Sequence, residues 1–126
     1  MTGRDYVLQV DGARGVVIAT LRGLWTPEVV QAYGVALDTA LTELARAGTP
    51  RGRALVLVDR RELQVMPRDV VDASVEMVSR VLRVRKVAVV VPNVLSKFQS
   101  DRILPSSRRF FGLDEAMAWL LEAVNA

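Results

Sequence analysis

Apolar and polar positions change period along the chain, and each change marks an element. Tyr6 to Val10 and Val16 to Leu21 read as two short strands, joined by a turn that Asp11-Gly12 opens and Gly15 closes. Two strands around an Asp-Gly turn predict an antiparallel hairpin, which Gly23 ends. Thr26 then offers a helix cap, and Pro27 takes the first helical position, where its missing N–H costs nothing. Trp25 before the cap and Val30 inside the helix are placed for a hydrophobic staple. Val30, Tyr33, Leu37, Leu41 and Leu44 recur at helical spacing, while Glu28, Gln31, Asp38, Thr42 and Glu43 lie mostly on other faces. Gly48 and Pro50 stop this helix.

Ala54 to Val58 is a continuous apolar run, as a strand buried on both faces of a parallel sheet requires. Asp59 is expected to end it, with a polar loop following to Pro67. Residues 68–82 predict a second helix with a polar stripe of Asp69, Asp72, Glu76, Arg80 and Arg83, in which Glu76 and Arg80 are spaced for an ion pair. Lys86 to Val91 is another apolar strand, stopped by Pro92-Asn93. A short helix over Ser96 to Leu104 ends at Pro105, and Arg108 to Phe111 offers a short last strand. Gly112 breaks it, and Asp114 is placed to cap a final helix with Leu113, Met117, Leu120, Leu121 and Val124 on its apolar side. The order ββαβαβαβα predicts an α/β fold: a mixed, mostly parallel five-stranded sheet with four helices, right-handed crossovers and 54–58 at its centre.

That order resembles the STAS domains. The ending Phe110-Phe111-Gly112-Leu113-Asp114-Glu115-Ala116-Met117-Ala118-Trp119-Leu120 resembles their SpoIIAA-like branch, in which an aromatic strand leads into an acidic helix start and an Ala-x-x-Trp-Leu ending. The resemblance implies a binding or regulatory module. In STAS anti-sigma factor antagonists a phosphorylatable Ser stands at the start of the second helix. Here the matching stretch reads Val65-Met66-Pro67-Arg68-Asp69-Val70, with no hydroxyl, and Ser74 lies a turn further on. A serine-phosphorylation switch is therefore not expected. The wider class also resembles Sec14-type lipid carriers in overall fold, which implies a small apolar ligand as the alternative.

Composition narrows the picture. At 126 residues the chain is expected to be one domain over 1–126, and its 51% apolar content supplies a core. Apolar runs such as Val87 to Val91 are short, far below the ~20 residues of a spanning helix. Met1 to Asp5 contains no hydrophobic stretch of signal-peptide type. Cysteine is absent, so disulfides have no part in the fold and a cytoplasmic location is the default.

The chemistry present is limited. Without His or Cys, a Ser-His-Asp triad, a Cys nucleophile and His- or Cys-ligated zinc are all impossible. No glycine-rich phosphate loop occurs. Asp59, Glu62, Asp69 and Asp72 fall at or beyond the C-terminal end of the central strand, where open α/β sheets bind ligands. Helix-dipole and solvation roles account for Asp69 and Asp72. The expectation is a protein that is not an enzyme, with no catalytic residue, metal or cofactor.

Two surfaces remain. On the second helix Val71, Ser74, Val75, Val78 and Leu82 suffice to face the sheet, and Val70, Met77 and Val81 widen that stripe. Extra width means either a partner surface, with Pro67 and Arg68 beside it, or deeper burial. As a partner surface, at least two of Val70, Met77 and Val81 should be exposed. Net charge is +3, and between Arg80 and Arg109 eight cations face one anion, Asp101. Arg80, Arg83, Arg85, Lys86, Arg108 and Arg109 are expected to gather at one sheet edge, as an anion-binding patch or simply as charges favoured by helix ends. Sparse aromatics disfavour nucleic acid. The leading reading is a protein–protein interaction module, with self-association among its forms; the alternative is a small-molecule or lipid-binding domain.

Overall fold

The computed structural model describes residues 5–122; Val124 of the last apolar pattern and the first four residues lie outside them. Strands β1 (Tyr6–Asp11), β2 (Val16–Gly23), β3 (Leu55–Leu63), β4 (Lys86–Val90) and β5 (Arg108–Phe110) form one sheet in the order β1-β2-β3-β4-β5. β1 pairs antiparallel with β2, and every later pairing is parallel. The sheet is mixed and mostly parallel, as the patterning predicted, and the strand expected at 54–58 lies at its centre.

Local chemistry sets the element ends. In the hairpin turn the Asp11 carboxylate accepts from the Arg14 backbone N–H at 3.1 Å, and Gly15 takes φ 70°, a left-handed conformation that glycine adopts at no steric cost. Helix α1 (Pro27–Arg46) starts where expected: the Thr26 hydroxyl accepts from Val29 N at 3.3 Å, with Pro27 in the first turn. Asn93 caps α3 (Val94–Ile103) through Ser96 N at 2.9 Å, two residues earlier than the expected start. Helix α4 (Leu113–Leu121) begins after Gly112, so Asp114 lies in its first turn and not at the cap.

Helices cover both faces of the sheet. The larger core joins α1, α2 (Arg68–Val81) and the end of α3 to Val17, Ala19, Val56, Val58, Val89 and Val91. Tyr6, Trp25 and Tyr33 meet there edge to face, with ring centroids 5.2–6.3 Å apart. On the other face α4 places Ala116 and Leu120 over Val16, Leu57, Ala88 and Val90.

Two expectations are corrected. β3 does not stop at Asp59 but runs to Leu63, and it carries a bulge. Thr20 pairs with Asp59 and Arg22 with Glu62, so Arg60 and Arg61 together oppose Leu21. The extra residue reverses the alternation: Val56 and Val58 face the larger core before it, and Leu63 faces it afterwards.

The second correction concerns α2. Val70, Met77 and Val81 are buried (1%, 4% and 8% exposed), so they are no exposed contact face. The reason lies in α1, where Gly34 is buried at the α1–α2 seam. A Cβ on Gly34 would stand 2.7 Å from Met77 Cγ, so the absent side chain lets α2 approach and turns Met77 onto α1. Val75 is instead the partly exposed position, with Val78 and Leu82 half-buried beside it. Met77→Ala should therefore lower stability by about 2–5 kcal/mol. Met77→Glu should lower it further, because it buries an unpaired charge. Urea midpoints check both, and an unchanged midpoint for Met77→Glu would contradict this packing.

Candidate functional site

A groove lies between α2 and α3. Val75, Val78, Ser79 and Leu82 form one wall, and Ile103, Leu104 and Pro105 at the end of α3 form the other. Its floor is the start of β4, where Val84 and Val87 lie uncovered because β5 begins pairing only at Ala88↔Arg108. The volume is about 310 Å³, at the lower end of small-molecule sites, about 300–1,000 Å³. Arg85, Lys86 and Arg102 stand among its lining residues.

Behind the same wall lies a second space. Val78, Leu82, Ile103 and Leu104 also line a smaller space of about 30 Å³, together with Trp25, Tyr33, Met66 and Met77. Arg60 lines this space and is only 3% exposed. Its Nη1 donates to Ser100 Oγ at 3.0 Å, its Nε meets no protein acceptor, and it forms no ion pair among the described residues. Burial pushes its pKa down to about 10, against a smaller upward pull from Tyr33. Burial likewise raises the Tyr33 hydroxyl well above the ordinary tyrosine value, only partly opposed by the Arg60 charge.

The neighbouring carboxylate is committed elsewhere. Asp59 accepts from Arg61 three times: from the backbone N–H and Nε through Oδ1 at 3.1 and 3.0 Å, and from Nη2 through Oδ2 at 2.9 Å. Burial raises its pKa, but the Arg61 hydrogen bonds and charge outweigh burial and leave it lowered. Glu62 and Asp69 are exposed, and Asp72 pairs with Arg102 at 3.2 Å. Among the described residues no three acidic, His or Cys side chains come together as metal ligands.

A third feature is the outer face of α3. Val94, Leu95 and Phe98 are 57%, 58% and 62% exposed, while Ser96, Ser100 and Ile103 face inward. Two hydrogen bonds tie this helix to the β3–α2 loop: Met66 N donates to Gln99 Oε1 (3.0 Å), and Gln99 Nε2 donates to Met66 O (2.9 Å). In that loop Val65, Pro67 and Arg68 are exposed. Leu24, also exposed, stands next to it, since Gln64 N donates to Gly23 O at 3.0 Å.

The six cations do not gather as one free patch. Lys86 donates to the Trp119 carbonyl at 3.0 Å and stands 4.7 Å over its ring, and Arg108 covers Phe110 and Trp119 at 5.5 and 5.8 Å. These two hold α4 against the sheet. Arg109 pairs with Asp101 at 2.5 Å and also donates to the Ser107 carbonyl. Arg80 lines a cleft beside α1 with Gln31 and Asp38, Arg83 is exposed, and Arg85 remains at the groove. Strand parity explains the split, because Arg108 and Arg109 leave opposite faces of β5. Glu76 and Arg80 do not form the expected ion pair within bonding distance. Sequence reading missed Arg60 and the α3 face, although an Arg in phase with Val56 and Val58 marks the first.

No protein-family model and no curated protein matches this chain. Solved structures do. An uncharacterized DUF3478-family protein with a SpoIIAA-like fold, from Shewanella loihica PV-4, superposes with a TM-score of 0.68 at 16% identity over 95% of this chain and 98% of its own. The protein TM1081, solved by NMR, gives 0.64 at 13% identity over 98% and 92%. The anti-sigma factor antagonist SpoIIAA in its unphosphorylated form gives 0.59 at 18% identity over 95% and 99%. The likeness is one of fold: the chain has the SpoIIAA-like α/β architecture that its element order predicted. No helix among the described residues is long and apolar enough to cross a membrane.

Asp59 gives this end of the sheet a measurable signature. With its pKa lowered, its contribution to stability is complete above the ordinary carboxyl value of 3.8 and is lost as pH falls through the folded value. Asp59→Asn should be less stable than the native chain at neutral pH, with the gap closing below about pH 4. Thermal midpoints across pH check this; parallel curves would contradict it.

Proposed function

We propose that residues 1–126 act as one non-enzymatic, cytoplasmic protein-binding module that uses the outer face of α3 and the β3–α2 loop. One observation carries this reading: Val94, Leu95 and Phe98 are more than half exposed along one side of a ten-residue helix. Isolated surface apolar residues need no explanation, but a contiguous set does. Pro67, Arg68 and Val65 extend the patch, because Gln99 fastens their loop to α3.

Charge selects the partner class. Arg102, paired with Asp72 at 3.2 Å, continues the face one helical turn after Phe98; Lys97, paired with Asp101 at 3.4 Å, lies beside it, and Arg68 is exposed on the loop. An apolar centre with a cationic rim suits a protein whose own surface is apolar at the centre and acidic around it. A serine switch of the antagonist type does not suit this site. Ser74 is buried, and its hydroxyl donates to the Val70 carbonyl at 2.8 Å.

The groove favours a second reading, a small apolar ligand with an anionic group, because apolar walls there meet Arg85. Native mass spectrometry of the purified protein would show such a ligand as a co-purifying mass.

The partner surface is tested by a photo-crosslinking residue at position 98, followed by titration of the captured protein with purified native chain and Phe98→Glu. The expected result is at least about thirtyfold weaker binding, as for a central anchor residue. Stability should stay within about 0.5 kcal/mol, because the site is on the surface. Equal binding by the variant would reject this surface. Self-association, or binding to anionic vesicles in place of a protein, would replace the partner class.

A further inference from the structure

We infer that Arg60 is the anchor for the carboxylate of a small monocarboxylate ligand, whose apolar body lies in the groove between α2 and α3. This deepens the small-ligand reading and is independent of the partner surface.

The case begins with a charge that lacks a counter-charge. Arg60 is 97% buried by accessible area (3% exposed), and no carboxylate among the described residues reaches it. The nearest in sequence, Asp59, is held on three sides by Arg61. Ser100 satisfies one donor of the guanidinium, while Nε has no protein acceptor. A guanidinium is a rigid fork of five donors that matches two carboxylate oxygens, so an unused Nε–H describes the missing group. Burying an ion without a partner is unfavourable, and a hydrophobic side chain would fill this position better in the absence of a ligand.

The backbone aims the side chain there. The bulge that sets Arg60 and Arg61 against Leu21 lies near the carboxyl end of the central strand, where open α/β sheets bind ligands. It turns Arg61 out onto Asp59 and leaves Arg60 in phase with Val56 and Val58, pointing into the helix-covered core. The space beside it, about 30 Å³, has room for a group of about one water's size, and its walls are apolar apart from Arg60, Ser74 and the Tyr33 hydroxyl.

Access is built into the same walls. Val78, Leu82, Ile103 and Leu104 line both this space and the groove of about 310 Å³, so the two adjoin. Val78 and Leu82 are only half-buried, and Met66 and Met77 on the side of the smaller space are unbranched and adaptable. A shift of Leu82 and Leu104 joins the two spaces. A carboxylate then reaches Nε while an alkyl chain occupies the groove.

Hexanoate, hexanol and inorganic phosphate are the probes, titrated calorimetrically into the native chain and Arg60→Met. The native chain should bind hexanoate about tenfold or more tightly than hexanol, as expected for a charge-assisted hydrogen bond. Arg60→Met should bind the two alike and keep its affinity for hexanol. Equal hexanoate binding by native chain and variant would overturn the Arg60 anchor and leave the groove reading intact. Binding of none of the probes would overturn both, and phosphate binding as strong as hexanoate would overturn the monocarboxylate class. Should Arg60→Met fail to fold, the arginine Nε–H resonances of the native chain decide: hexanoate should move one resonance of a buried, slowly exchanging Nε–H, and no movement overturns the inference.

Discussion

The approach of α2 to α1 at Gly34 is the contact on which the rest of this structure depends. A Cβ at position 34 would meet Met77 Cγ at 2.7 Å, so Met77 can lie across α1 in this conformation only against glycine. Val70, Met77 and Val81 enter the α1 seam, and Val75, Val78 and Leu82 turn toward α3. Glycine inside a helix costs about 0.5–1 kcal/mol relative to alanine, and the packing of Met77 offsets that. The groove exists because Val75, Val78 and Leu82 face a region that the end of α3 does not fill.

A second constraint acts across the first. A parallel strand buried on both faces has no place for charge, yet β3 carries Asp59, Arg60 and Arg61 in succession. The bulge resolves two of them by pairing Arg61 with Asp59 at the margin of the sheet. It leaves Arg60 inside, next to Trp25 and Tyr33, with Ser100 of α3 as its hydrogen-bond partner. The position of α3 is therefore coupled to the buried charge through Ser100 and to the β3–α2 loop through Gln99. Whatever binds at Arg60 and whatever binds the outer face of α3 act on one helix.

The sheet order, the hairpin and the helix starts were legible because each rests on local chemistry: Asp11-Gly12 and Gly15, Thr26-Pro27, and the apolar runs at 54–58 and 86–91. What failed was long-range. The helical wheel of α2 shows an apolar arc wider than a sheet contact needs, but which edge of the arc is covered depends on Gly34, about forty residues away in sequence. Arg60-Arg61 after Asp59 reads as the start of a polar loop, and only the bulge keeps the first in the core and the second out. The cations of segment 80–109 share a sheet edge in sequence projection, yet side-chain parity sends Arg108 to Trp119 and Arg109 to Asp101. No pattern along the chain carries that parity until the register is known.

The two faces of the sheet are closed to different degrees, and this asymmetry locates function. On the α4 face, Lys86 and Arg108 clasp Trp119, Ala116 and Leu120 are fully buried, and the small core is complete. On the other face α3 is amphipathic in reverse. Its inward positions include the serines Ser96 and Ser100, and its outward ones Val94, Leu95 and Phe98. A helix that served only to bury the sheet would place its apolar residues inward. Of the inward serines, Ser100 satisfies a polar group, accepting from Arg60. The helix thus gives its polar side to the buried charge and its apolar side to solvent, an arrangement that core packing alone does not favour and that binding on both sides of α3 accounts for.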